Sequence, residues 1–182
     1  MIKLNEKDSL LMIIDVQDKL LNAVYNKELL QKKAVTIANA ASILNIPIIV
    51  TEQYPNGLGY TIEAIKSVLN SKAQFFEKMS FSALDHQRID KEIKFSGKNQ
   101  IVILGIETHI CVCQTAMALV NKGYDVTLIK DASGSRAQSE HLAGIDRLKE
   151  NNVHIITAEI AIFEWLRTSK HEKFREVQAL IK

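Results

Sequence analysis

The chain has 182 residues, 47% of them hydrophobic and 24% charged, and a formal net charge of +2. That length suits one domain burying about 70% of the surface its unfolded form exposes, and the composition excludes disorder and fibrous repeats. Lysine and arginine are scattered among acidic residues rather than gathered into a stripe, so nucleic acid is not an implied partner.

The N-terminal "MIKLNEKDSLLMIIDVQ" holds an apolar run that Asp15 interrupts too soon for a signal peptide or a membrane span, and no later run is long enough. A cytoplasmic protein with no membrane partner is expected, and two thiols without a spacing framework suit a reducing compartment.

In chain order, the first predicted strand is "SLLMIID", ending at Asp15. The helical stretch "ELLQKKAVTIANAASIL" leads to a second strand, "IPIIVTE", ending at Glu52, and a third, "AQFFEK", ends at Lys78. The fourth, "QIVILGI", ends at Ile106 and the fifth, "DVTLIKD", at Asp131. "HLAGIDRLKEN" places Leu142, Ile145 and Leu148 at helical spacing, with Asn151–Asn152 as its stop. The sixth strand, "VHIITA", ends at Ala158, and "SKHEKFREVQALIK" predicts a terminal amphipathic helix. Pro47 and Pro55 fall at a strand entrance and in a loop, where a missing N–H does least harm.

Four of these runs are continuous rather than alternating, as strands covered on both faces of a parallel sheet are. Strand alternating with helix means βαβ units, hence an α/β fold: a three-layer open parallel sheet with helices on both faces, in one domain over residues 1–182. Ligands bind such sheets outside the carboxyl ends of the strands.

Three strand ends carry chemically useful groups: Asp15, Lys78, and the Thr108 to Cys111 turn after the fourth strand. Singly, each has a plainer explanation as a helix cap, a solvated terminus or a small buried hydrophobe. Together they bring a base, a cation and a thiol to one sheet edge, which is what covalent amide or ester hydrolysis requires. With Thr108 as an N-cap, Cys111 lies in the first helical turn, where the helix dipole favours a thiolate. Cys113 is then roughly 200° further round and packs elsewhere. A metal pair is the alternative, but C-x-C without another ligand at metal spacing is a poor zinc signature. His109, two residues before Cys111, reads as pocket wall rather than general base.

"IIDVQ", "FEKMSFSA" and "GIETHICVCQTA" in this order resemble the isochorismatase-like cysteine hydrolase family, which includes nicotinamidases and carbamoylsarcosine amidases. The resemblance runs on through "GYDVTLIKDASGSR" to "TAEIAIFEWL", and the chain looks most like the small uncharacterised hydrolases of the family. It implies a Rossmann-like sheet of order 3-2-1-4-5-6 and an Asp15–Lys78–Cys111 triad. It also implies a cis peptide at Ile106–Glu107, which brings the backbone N–H of Glu107 beside that of Cys111 as an oxyanion hole. Two features depart from named branches. "TEQYPNGLGYT" lacks the histidine of the nicotinamidase metal cluster, so no metal is expected, and Cys111 points to acyl chemistry rather than to the vinyl ether of isochorismate.

The expected activity is hydrolysis of a small amide, or a related acyl substrate, through a thioester: a carbon–nitrogen bond other than a peptide bond, with no cofactor. Gln17, Gln53, Tyr54 and His109 are the expected substrate-binding wall. A catalytically silent binding or scaffold subunit on the same fold is the alternative, and nuclease action needs a basic groove or metal carboxylates that the sequence lacks. Bulky apolar residues near the C-terminus, Ile160, Phe163, Trp165 and Leu166, suggest a homo-oligomer.

Overall fold

In a computed structural model, residues 4–181 are described. The first half runs β1 (Ser9–Ile14), α1 (Asp18–Ala23), α2 (Lys27–Ile43), β2 (Ile48–Gln53), α3 (Pro55–Leu58), α4 (Glu63–Lys66) and β3 (Gln74–Lys78). The second runs α5 (Gln87–Ser96), β4 (Gln100–Ile106), α6 (Cys113–Asn121), β5 (Asp125–Gly134), α7 (Gln138–Glu150), β6 (His154–Ile156), α8 (Ala158–Leu166) and α9 (Phe174–Gln178). All six strands are parallel, in the expected order β3-β2-β1-β4-β5-β6.

The continuous apolar runs are explained by burial on both faces. Leu11 and Ile13 of β1 point into one layer with α2, α8 and α9, while Leu10, Met12 and Ile14 point into the other with α5, α6 and α7. Strand side chains alternate, so a strand with two cores is apolar at every position.

Several local expectations are corrected. β5 continues past Asp131 to Gly134: its register against β4 shifts between Ile103 and Gly105, and pairing resumes at Ser133 and Gly134. In α7 the buried residues are His141, Gly144, Ile145 and Leu148, and Leu142 stands half out of the protein. The stop at Asn152 is a left-handed residue, φ 59°. Pro55 opens a short helix instead of lying in a loop. The terminal helix shrinks to α9. The residues before it form turns in which His171 Nε2 meets Glu6 Oε2 at 3.1 Å, and Lys182 lies outside the described residues. Trp165 and Leu166 are core residues, which leaves Ile160 and Phe163 exposed on α8. Among the described residues no helix is long and apolar enough to cross a membrane.

Candidate functional site

The chemistry-bearing strand ends meet at the carboxyl edge of the sheet. Asp15 leaves β1 in the left-handed region, φ 53°, a conformation that a short polar side chain tolerates better than a branched apolar one. Its carboxylate is fully buried and holds two donors: Thr51 Oγ1 reaches Oδ1 at 2.7 Å, and Lys78 Nζ reaches Oδ2 at 2.7 Å. Lys78 comes from β3, and β2 lies between it and β1, so its stem crosses the end of β2. There Gln53 Oε1 accepts from the same ammonium at 2.7 Å, and the carbonyls of Ser80 and Phe81 accept at 3.2 and 3.3 Å. A buried ammonium is costly unless its donors are matched, and these acceptors match them.

The turn after β4 is set by close backbone approach. Gly105 has φ 134°, and a Cβ there would stand 2.0 Å from the Ile14 carbonyl oxygen, so only glycine lets β4 end this close to β1. The Ile106–Glu107 peptide bond is cis. Thr108–Val112 then form a π-helical turn, with the Glu107 carbonyl accepting from Ile110 N–H at 3.0 Å and Val112 N–H at 3.3 Å. Thr108 therefore does not cap a helix as expected, because the Glu107 carbonyl starts the turn. The Thr108 hydroxyl instead meets His141 Nδ1 at 2.9 Å.

Cys111 lies in this turn, buried, where its thiol feels the charges of both Asp15 and Lys78. The sequence-based expectation of a thiolate is corrected: burial first, then the Asp15 charge, push the Cys111 thiol up to about 12, and Lys78 opposes them only in part. Burial and the Asp15 charge both act against the thiolate. Cys113 is also buried, with Sγ 3.8 Å from Met117 Sδ one helical turn on, and burial alone raises its pKa.

The four wall residues divide. Tyr54, φ 39°, lines a cavity of about 550 Å³ at this edge together with Lys78, Met79, Ser80 and His86. Gln17 is fully buried, and its amide is spent on the chain: Oε1 accepts from Gln53 N–H at 2.7 Å and Nε2 donates to the Gln53 carbonyl at 3.0 Å. Gln53 holds Lys78 and donates to the Met79 carbonyl at 2.8 Å. His109 Nδ1 meets Ser135 Oγ at 3.0 Å, and Nε2 faces Glu140 at 3.6 Å. Three of the four thus brace the site because local hydrogen bonds already satisfy them. Sequence reasoning missed Thr51, Arg136 and His141. A threonine closing an apolar strand run was a usable signal for the first; the other two depend on how α7 docks. Among the described residues no group of three His, Cys, Asp or Glu side chains is placed to hold a metal.

An isochorismatase domain matches residues 9–160. This chain belongs to the isochorismatase family. It is 34% identical over 179 residues to the isochorismatase domain-containing protein 2 of Xenopus laevis, covering 98% of this chain and 86% of that protein. It is 32% identical to isochorismatase family protein 1A of Dictyostelium discoideum, covering 97% and 87%. Among solved structures, a Caenorhabditis elegans protein described as MAR1 ribonuclease superposes with a TM-score of 0.95 at 32% identity, covering 99% of this chain and 92% of that one. The Escherichia coli YcaC product, described as an octameric hydrolase of unknown specificity, has a TM-score of 0.94 at 23% identity, covering 100% and 90%, and likens the fold alone. Membership in this family supports a hydrolase.

Proposed function

We propose that this chain is a cysteine hydrolase of a small amide, or a related acyl compound, working through a thioester with Asp15, Lys78 and Cys111 as its triad. The observation that supports this most is the fully buried Lys78–Asp15 ion pair, whose charges act on the buried Cys111 thiol. A buried pair is a poor way to gain stability, so its presence calls for a chemical reason.

Because the thiol enters protonated, the proton and the new bond move together. Cys111 Sγ attacks the carbonyl carbon as its proton passes to the Asp15 carboxylate, and the carbonyl oxygen takes the electron pair. The backbone N–H groups of Glu107 and Cys111 receive that oxyanion; losing one such donor typically costs about 100- to 1,000-fold in rate. The carbon–nitrogen bond then breaks, and Asp15 returns the proton to the departing amine. Water attacks the thioester as it gives a proton to Asp15; the carbon–sulfur bond then breaks, the acid leaves, and Asp15 returns that proton to the Cys111 sulfur. Lys78 holds Asp15 in place and offsets its charge throughout. Tyr54 walls the entrance, with Gln17, Gln53 and His109 bracing the loops behind it. The proposal includes one domain over residues 1–182 and no resident cofactor.

A second reading is RNA cleavage, favoured by the name given to the C. elegans neighbour. One experiment addresses both: a panel of small amides, esters and RNA oligonucleotides, with ammonia, acid or fragment release measured for the wild type and Cys111→Ala. Amide or ester turnover lost in the variant supports the hydrolase, and RNA cleavage that survives in the variant overturns it. Assembly into a homo-oligomer is part of the proposal, supported by exposed Ile160 and Phe163 and by the octameric E. coli neighbour. A light-scattering mass equal to the 20.5 kDa chain would count against it.

A further inference from the structure

Three consecutive side chains of the turn before Cys111 are tied to one stretch of chain, the connection from β5 into α7. The Glu107 carboxylate, almost fully buried, accepts at Oε1 from the Arg136 backbone N–H at 2.9 Å and from its Nε at 3.1 Å. Thr108 is bonded to His141 and His109 to Ser135. Gly144 completes the contact: a Cβ there would stand 3.0 Å from the Cα and backbone nitrogen of His109 and 3.1 Å from the Thr108 carbonyl carbon, so α7 lies directly on the backbone of the turn.

These ties matter because of the kind of turn they hold. A π-helical turn is rarer than an α turn, and here its i to i+5 bond is the longer of the two at the Glu107 carbonyl. Its shape must be set by what packs against it. None of these ties is made by the Cys111 thiol: they run through Glu107, Thr108 and His109. The neutral His141 ring, favoured by burial, holds Thr108 without placing a charge behind the turn.

The geometry points to the Ser135–Gly144 segment as a clamp that sets the direction of the Glu107 and Cys111 backbone N–H groups, with His141 and Arg136 as positioning residues acting through Thr108 and Glu107. The inference rests on Cys111 being the nucleophile and on those two amides receiving the oxyanion.

The test compares two reactions of the same sulfur in a Cys113→Ala background. Iodoacetamide alkylates the thiol, displacing iodide with no charge on a carbonyl oxygen. Acylation by p-nitrophenyl acetate forms the thioester, releases p-nitrophenolate and passes through an oxyanion. The ratio of acylation to alkylation rate therefore cancels thiolate availability and reports the amides. Thr108→Val and His141→Phe are each expected to lower the ratio about tenfold, a partial loss of oxyanion-hole stabilisation. Thr108→Ser should keep it, and the double variant should be no worse than the poorer single, because both remove one hydrogen bond. Arg136→Met lies at an exposed guanidinium and keeps the decision open should the buried variants fail to fold; its expected loss is about twofold. Ratios equal to the parent's in the folded variants overturn the clamp, as do independent, additive losses. A parent ratio no higher than that of free cysteine removes the oxyanion reading and the clamp with it, whereas a high parent ratio with unchanged variants removes the clamp alone.

Discussion

The two ends of the same sheet bury polar groups in opposite ways. At the amino end the network is neutral: Trp165 Nε1 donates to Ser9 Oγ at 3.0 Å, Ser9 Oγ to the Asn5 carbonyl at 2.7 Å, and Asn5 N–H to Gln100 Oε1 at 2.8 Å. At the carboxyl end a buried ammonium, a buried carboxylate and a buried thiol share one cluster. Neutral hydrogen bonds in a core fasten the elements that make them. A buried ion pair gains little over apolar residues of the same volume, and costs heavily when one member is lost. The amino end therefore reads as joinery and the carboxyl end as chemistry.

The largest break in that contrast is Cys111→Ala, which should abolish thioester formation with p-nitrophenyl acetate; mass spectrometry of the intact protein would show the missing acetyl adduct. Lys78→Met comes next. It leaves Asp15 buried without its cation and should lower stability by about 3–5 kcal/mol in denaturant titration. Adding Asp15→Leu should restore most of that stability while acylation stays lost, and a double variant that still acylates Cys111 would show the pair to be structural. At the other end, Ser9→Ala orphans the Trp165 indole N–H, with an expected cost of about 1–3 kcal/mol and no change in Cys111 acylation.

The pH dependence follows from the raised thiol. Below about 12 the Cys111 thiolate fraction rises with pH, so alkylation by iodoacetamide should accelerate about tenfold per pH unit across the neutral range, and a plateau there would contradict the burial argument. For stability the sign is that of a raised pKa: the contribution is full below the ordinary 9.0 and is lost as pH rises toward about 12. The smallest effect is that of Cys113→Ala, a thiol packed on Met117, which should cost about 1 kcal/mol and leave the acylation rate of Cys111 unchanged.

How much of this could be read in advance differs from residue to residue. Asp15 and Lys78 stand out because each closes an apolar run, and Cys111 because it lies in the turn that follows one; a parallel sheet brings all such ends to one edge. Thr51 carried a weaker version of the same signal. Gln17, Gln53 and His109 were legible as polar loop residues, but not as braces, since the groups they satisfy come from other parts of the chain: the end of β2, Lys78 of β3 and Ser135. Arg136 and His141 carried no signal: their partners Glu107 and Thr108 lie 29 and 33 residues away, and the pairing depends on where α7 comes to rest.

The sequence by itself determined the strands, their parallel pairing, the edge at which chemistry could gather and the family that shares these motifs, because apolar runs and short motifs are local patterns. The tertiary structure alone decided that Lys78 crosses β2 to reach a carboxylate 63 residues away, and that the Cys111 turn is π-helical and held from α7. It alone decided, too, that burial and the Asp15 charge push the thiol's pKa up. Solvent exclusion and the approach of distant charges set those properties, and both arise only when the layers have packed.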